Sequence, residues 1–297
     1  MEATQLRDVR KRLPLRTLSP QDWEQWITLG YVIVRQAVPA DHVERLTKAL
    51  FAFEDMDPDD QATWYKSDAP SQRLPGHSGL VEIYNHQAMW DNRQTPRLYD
   101  AFVDLWDTTD LWVVIDFANV NPPNRGTREF EGFVHWDVDT SRRPLPISCQ
   151  GVLSLSAGNE DIGGFQCVPG IFEKLDNWLA EQPADRDPMT PDLTGHEIVT
   201  PRVDPGDLII FNSLLPHGVR PNRSADQVRM AQYISMAPAL EDDTALRDTR
   251  IAFWRDRIPP HEHEHHGRPR KRERELYDRA ELTPLGERLL GLRSWSA

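Results

Sequence analysis

The sequence predicts a mainly β protein with helical additions, in which one sandwich or open barrel is wrapped by helices. Two observations carry this. The middle third holds short strand candidates at regular intervals: Phe133 to Val138, Gln150 to Ser156, Gly164 to Val168, Glu197 to Val203, Asp207 to Phe211 and Arg229 to Ser235. Turn signals separate them, among them Gly163-Gly164, Pro169-Gly170, Pro205-Gly206-Asp207 and Pro221-Asn222. On either side apolar residues recur at helical spacing instead. The 297 residues are read as a single domain. Residues 1–110 form a helical N-terminal part with a substrate loop, 111–240 the core, and 241–297 a helical tail or lid.

Each element has a local cause. Ser19 can cap a helix, Pro20 suits its first turn, Asp22 suits its positive end, and Trp23, Trp26 and Ile27 give it an apolar face. Gly30 should stop that helix, and Tyr31 to Val34 then reads as a strand. A second helix begins near Asp41, with Val43, Leu46, Leu50 and Phe53 on one side. Residues 55–80 are polar and loop-like, Pro96 to Leu105 is helical, and Leu111 to Val120 is β-rich up to Asn121-Pro-Pro123, where proline removes ladder donors. Phe172 to Leu179 reads as a helix set between strands.

Composition excludes several classes. A formal net charge of −13 argues against nucleic acid as a partner, because neutralising phosphates needs a basic face. The run Arg268-Pro-Arg-Lys-Arg-Glu-Arg274 is a solvated tail segment, a local basic patch or a lid. No apolar stretch is long enough for a membrane span, and Met1 to Leu18 lacks the apolar core of a secretory leader, so a cytoplasmic address is the default. Cys149 and Cys167 lie in apolar contexts and read as small buried hydrophobes. The cluster His261-Glu-His-Glu-His-His266 reads as a solvated segment or a lid contact.

Three features carry chemistry. In Phe133-Val-His135-Trp-Asp137, strand alternation points His135 and Asp137 to the same side. An imidazole and a carboxylate are two of the three donors of a two-His-one-carboxylate site, which holds iron(II) and leaves positions open. Farther along, a tight turn and an apolar strand lead to His217-Gly218. After a further turn comes Arg229, a guanidinium in an otherwise mostly uncharged strand. Such a cation is costly to bury unless paired, by a structural salt bridge or by the far carboxylate of a bound dicarboxylate.

The ordered set His135-x-Asp137, Gly163-Gly164-x4-Pro169-Gly170, Pro205-Gly206-Asp207, His217-Gly218 and Arg229 resembles the phytanoyl-CoA dioxygenase-like family of iron(II)/2-oxoglutarate oxygenases, over roughly residues 19–240. The resemblance implies a double-stranded β-helix, or cupin-like jelly roll, with His135, Asp137 and His217 as metal ligands. It implies 2-oxoglutarate as co-substrate, anchored by Arg229, with dioxygen as oxidant and succinate and carbon dioxide released. Arg229 lies one residue beyond the family's usual spacing, which leaves Arg220 or Arg223 as alternative anchors. By the same likeness Phe117, Asn119 and, more weakly, Gln150 and Gln166 line the co-substrate pocket. A carboxylate at 137, where related halogenases carry a small residue, implies hydroxylation or another oxidation without halide.

The prime substrate is expected to be a small molecule. Tyr84, His86, Gln87 and Trp90 form a polar-aromatic stretch that binds it or simply packs, and Arg142 with Arg143 meets an anionic group or lies on the surface. Rival readings are a cupin-type metal enzyme without 2-oxoglutarate and a non-enzymatic metabolite-binding β-sandwich.

Overall fold

The computed structural model describes residues 5–65, 79–125, 130–258, 260 and 272–296. Among them the strands are β1 (Tyr31–Val34), β2 (Leu80–Val81), β3 (Leu111–Val113), β4 (Ala118–Asn121), β5 (Phe133–His135), β6 (Cys149–Ser154), β7 (Gly164–Cys167), β8 (Leu208–Asn212), β9 (His217–Arg220), β10 (Arg229–Tyr233) and β11 (Met236–Pro238). The helices are α1 (Pro20–Leu29), α2 (Ala40–Phe53), α3 (Gln87–Arg93), α4 (Pro96–Trp106), α5 (Pro169–Glu173), α6 (Leu175–Glu181), α7 (Thr244–Asp256), α8 (Arg272–Leu276) and α9 (Pro284–Leu290). The cluster His261–His266 and the start of the basic run after it lie outside the described residues.

The strands form a six-stranded sheet in the order β1-β8-β6-β10-β4-β2, a three-stranded sheet β5-β9-β7 and a two-stranded pair β11-β3, all antiparallel. The two larger sheets face each other as a jelly roll. Period-2 alternation explains how the large sheet serves two cores. Val32, Val34, Leu208, Ile210, Leu153 and Met230 point to the helical side, in the core that α2, α3 and α4 cover. Tyr31, Ile209, Phe211, Val152 and Ala231 point the other way and meet Trp136, Phe165 and Cys167 of the small sheet.

Local signals account for the element ends. The Ser19 hydroxyl accepts from the Asp22 N–H (3.1 Å) and the Asp22 carboxylate accepts from the Ser19 N–H (2.8 Å), a reciprocal cap. Gly30 closes α1 at φ +78. Asp207 locks the turn before β8 by accepting from Gln36 N–H and pairing with Arg35 at 2.7 Å. Cys149 and Cys167 are buried free thiols, as expected, and burial pushes Cys149 up to about 12.

Three expectations are corrected. Residues 197–203 form no strand; only isolated bridges tie Val199 to Cys167 and Val203 to Gly158. The β-rich stretch 111–120 is broken, because the Asp116 carboxylate accepts from the Phe117 N–H (2.8 Å) and bends the chain between β3 and β4. The single helix at 172–179 is two, α5 and α6, meeting at Lys174 (φ −114). The tail is helical and docks on the core. Buried Glu273 of α8 accepts from Asn85 N–H at 2.8 Å, and burial raises its carboxyl to about 7.

Candidate metal centre

The register of the small sheet builds the site. β5 and β9 pair with His135 directly opposite His217, so both imidazoles leave the same face. Their ring centroids are 5.0 Å apart. Two residues on, Asp137 returns to that face, while Trp136 between them points away. Trp136 is fully buried, and its indole N–H donates to the Leu214 carbonyl (2.8 Å), which fixes the strand end that carries Asp137.

One ligand atom from each of His135, Asp137 and His217 lies within 4.8 Å of the others. Asp137 Oδ1 is 2.7 Å from His135 Nε2, and Oδ2 is 3.1 Å from His217 Nε2. His217 Nδ1 lies 2.9 Å from the Leu215 carbonyl, so Nδ1 carries the proton and Nε2 keeps its lone pair for the centre. Burial works against ionisation of Asp137, but the close contacts with His135 and His217 outweigh it and hold the carboxyl well below the usual range. The Gln150 amide donates to Asp137 Oδ2 at 2.8 Å and holds the carboxylate from the opposite sheet. Two neutral nitrogens and one carboxylate oxygen on one side, with the cavity on the other, fit a divalent ion of the iron(II) type.

Gly218 makes the pairing possible. A Cβ at this position would overlap the Phe133 carbonyl oxygen of β5. Gly218→Ala is therefore expected to push β5 from β9, lowering stability by about 1–3 kcal/mol and weakening metal affinity. A thermal melt and equilibrium dialysis against ferrous ion check this; a variant with wild-type values in both would reject the argument.

The ligand atoms open into a cavity of about 230 Å³, walled by Leu80, Phe117, Phe133, Val152, Phe165, Phe211 and Val219, with Asp116, Gln150, Arg229 and Tyr233 as its polar groups besides the three ligand residues. Arg229 comes from the large sheet and is only 6% exposed. One guanidinium N–H donates to Asn119 Oδ1 (2.9 Å). Among the described residues it forms no ion pair, although a buried guanidinium is costly when unpaired. Burial lowers its pKa and the neighbouring Tyr233 raises it. The arrangement sets a buried guanidinium, with no ion-pair partner among the described residues, in the same cavity as a metal-type donor set.

The family model for phytanoyl-CoA dioxygenase (PhyH) matches residues 28–231. The chain belongs to the phytanoyl-CoA dioxygenase family. It is thus an oxidoreductase of the dioxygenase type. Ava biosynthesis cluster protein O of Aspergillus versicolor is 26% identical over 242 residues, covering 73% of this chain and 77% of that protein. GlcNAc Inducible Gene 2 (GIG2) from Candida albicans superposes with a TM-score of 0.68 at 14% identity, over 98% of this chain and 79% of its own. HygX from Streptomyces hygroscopicus, solved with nickel and 2-oxoglutarate bound, superposes with a TM-score of 0.50 at 13% identity, over 76% and 89%. At such identities these structures establish the shared fold. Among the described residues no helix is long and apolar enough to cross a membrane.

Within this phytanoyl-CoA dioxygenase fold the remaining site candidates divide. Phe117 and Gln150 line the cavity. Asn119 shares the strand face of Arg229 and accepts from its guanidinium without lining the cavity itself, and Gln166 donates to the Phe133 carbonyl (2.9 Å). The alternative anchors fall away: Arg220 donates to the Gly163 carbonyl, and neither it nor Arg223 reaches the cavity. The turn before β10 is built on Asn222, whose amide donates to the Asn121 and Gln227 carbonyls.

The polar-aromatic stretch lies apart from this cavity. Trp90 is fully buried core, His86 caps α3 by accepting from Ala88 N–H (3.1 Å), and Tyr84 packs behind Phe117 with ring centroids 6.4 Å apart. Arg142 is an exposed residue beside Asp139 (3.5 Å). None of the four lines the cavity. Sequence reasoning missed Asp116 and Tyr233. Tyr233 could have been found, since it lies four residues beyond Arg229 and so on the same strand face.

Proposed function

We propose that this chain is an iron(II)- and 2-oxoglutarate-dependent oxygenase that hydroxylates an unactivated C–H of a small metabolite with release of succinate and carbon dioxide. The observation that carries the reading is the pairing, in one cavity, of a His-Asp-His donor set on the small sheet with the buried Arg229 on the large one, which has no ion-pair partner among the described residues.

When bound, the ferrous ion and the keto acid supply the activation of dioxygen, coupled to oxidative decarboxylation. The protein's own residues do the rest. His135 and His217 offer Nε2, and the Leu215 carbonyl fixes the tautomer of His217. Asp137 supplies the negative charge, and Gln150 fixes its second oxygen. Arg229, steadied by Asn119, takes the distal carboxylate and so orients the keto-acid end toward the ligands. The apolar walls, Phe117, Phe133, Phe165, Phe211 and Val219, exclude water from the reacting centre. A cupin-type enzyme without 2-oxoglutarate, or a binding module, leaves Arg229 with no task.

The test adds ferrous ion and then 2-oxoglutarate to metal-free protein under anaerobic conditions. A visible charge-transfer band should appear only with both present, and admitting air should yield succinate. Absence of both signals would sink the proposal.

A further inference from the structure

We propose that Asp116 recognises the prime substrate, and that the small molecule it selects carries a protonated amine. The inference rests on the function proposed above and narrows its substrate class.

The other polar groups of the cavity fall into two sets. His135, Asp137 and His217 form the donor set with Gln150 holding Asp137, and Arg229 and Tyr233 are hydrogen-bonding neighbours on β10. Asp116 belongs to neither. A carboxylate repels a dianionic keto acid, so the ligand it suits is a second molecule, of positive charge. The strand register gives its position. The Tyr233 N–H donates to the Phe117 carbonyl (3.1 Å), so Asp116 stands past the Tyr233 end of β10, away from Arg229. Val152 lies opposite Tyr233, and Gln150, two residues farther the same way, reaches Asp137. Asp116 therefore stands at the metal end of the cavity, where a molecule to be oxidised must sit.

The residue is held firmly there. Its carboxylate accepts from the Phe117 N–H (2.8 Å), and its carbonyl accepts from the fully buried Arg93 (2.6 Å), which also grips the Tyr84 carbonyl. A carboxylate offers about four lone-pair positions, so it can take an ammonium N–H together with that of Phe117. The walls beside it are aromatic: Phe117, Phe133, Phe165 and Phe211. Phe133 is 41% exposed and Asp116 partly exposed, so both reach the solvent side of the cavity. Aromatic faces attract an organic cation and a carboxylate pairs with it, so both kinds of wall act on the same charge. The competing role is structural, because Asp116 also shapes the bend between β3 and β4, and its charge is felt at Arg93. Asp116→Asn separates the two: its amide oxygen still accepts from the Phe117 N–H, and only the charge is lost.

Protein loaded with ferrous ion and 2-oxoglutarate is titrated by anaerobic calorimetry with a panel of primary amines, each beside the alcohol and the carboxylic acid of the same carbon skeleton. Hexyl, cyclohexylmethyl and phenylethyl skeletons cover linear, cyclic and aromatic shapes. In wild type the amines that bind should do so at least about 10-fold more tightly than their alcohols, and Asp116→Asn should remove that margin. The comparison within wild type needs no variant, and matched melting curves check the fold of Asp116→Asn. Alcohols or acids bound as tightly as the amines, or no amine bound, overturn the inference. Amines bound with the wild-type margin by folded Asp116→Asn overturn the assignment of Asp116. If wild type gives no charge-transfer band with iron and 2-oxoglutarate, the proposed function fails and this inference with it; if the band forms and amines are not preferred, the inference fails alone.

Discussion

Asp137→Ala should abolish stoichiometric ferrous binding. Asp137 is the one anionic donor of the set, and the two imidazoles that remain are neutral ligands on one strand pair. Loss of an outer partner of a metal site typically costs about 10–100-fold in affinity, and loss of a hard oxygen donor itself should exceed that range. The fold should survive, since Asp137 faces the cavity with 40% of its side chain exposed. Circular dichroism and iron analysis after dialysis check both halves. Iron retained at one equivalent by a folded Asp137→Ala protein would remove the donor set from consideration.

Arg229→Ala is expected to leave iron binding intact and to raise the Kd for 2-oxoglutarate by roughly two orders of magnitude or more. Each charge-assisted hydrogen bond to a carboxylate contributes about 1.5–3 kcal/mol, and a fork can make two. A further sign distinguishes a binding role from a structural one. A buried guanidinium with no ion-pair partner among the described residues lowers the stability of the ligand-free protein, so the variant should melt no earlier than wild type. 2-Oxoglutarate with iron should then raise the melting temperature of wild type and leave that of the variant unmoved. A variant that melts much earlier, with unchanged affinity, would make Arg229 a structural residue.

The parts of the site legible in the sequence are those fixed by short-range rules. Alternation places His135 and Asp137 on one side, and a lone arginine in a strand implies an anionic partner. The position of Gly218 beside His217 is equally visible, although its reason is not: the close approach to Phe133 comes from pairing with a distant strand. Gln150 was legible only as a polar residue on a strand, because its bond to Asp137 spans two sheets. Tyr84, His86 and Trp90 lie apart from the cavity for a physical reason. Aromatic residues with a polar tip suit a pocket wall and a helix-covered core equally well, and only tertiary packing decides between them. The fold followed the same divide. Caps and turns such as Ser19, Gly30 and Asp207 ended elements where expected, while 197–203 has strand-like composition but meets its neighbours only at two isolated bridges.

The candidate metal donors and the proposed anchor, Arg229, stand on opposite sheets, and this gives the gap between the sheets a meaning of its own. It is a ruler. Facing sheets pack about 10 Å apart, and a keto acid held at both ends must span that distance with its carbon chain. Selection among oxaloacetate, 2-oxoglutarate and 2-oxoadipate would then be set by residues that keep the sheets apart, such as Phe165 against Phe211 at 5.0 Å. Changing which keto acid is accepted would be a matter of repacking the core, leaving both ends of the site as they are.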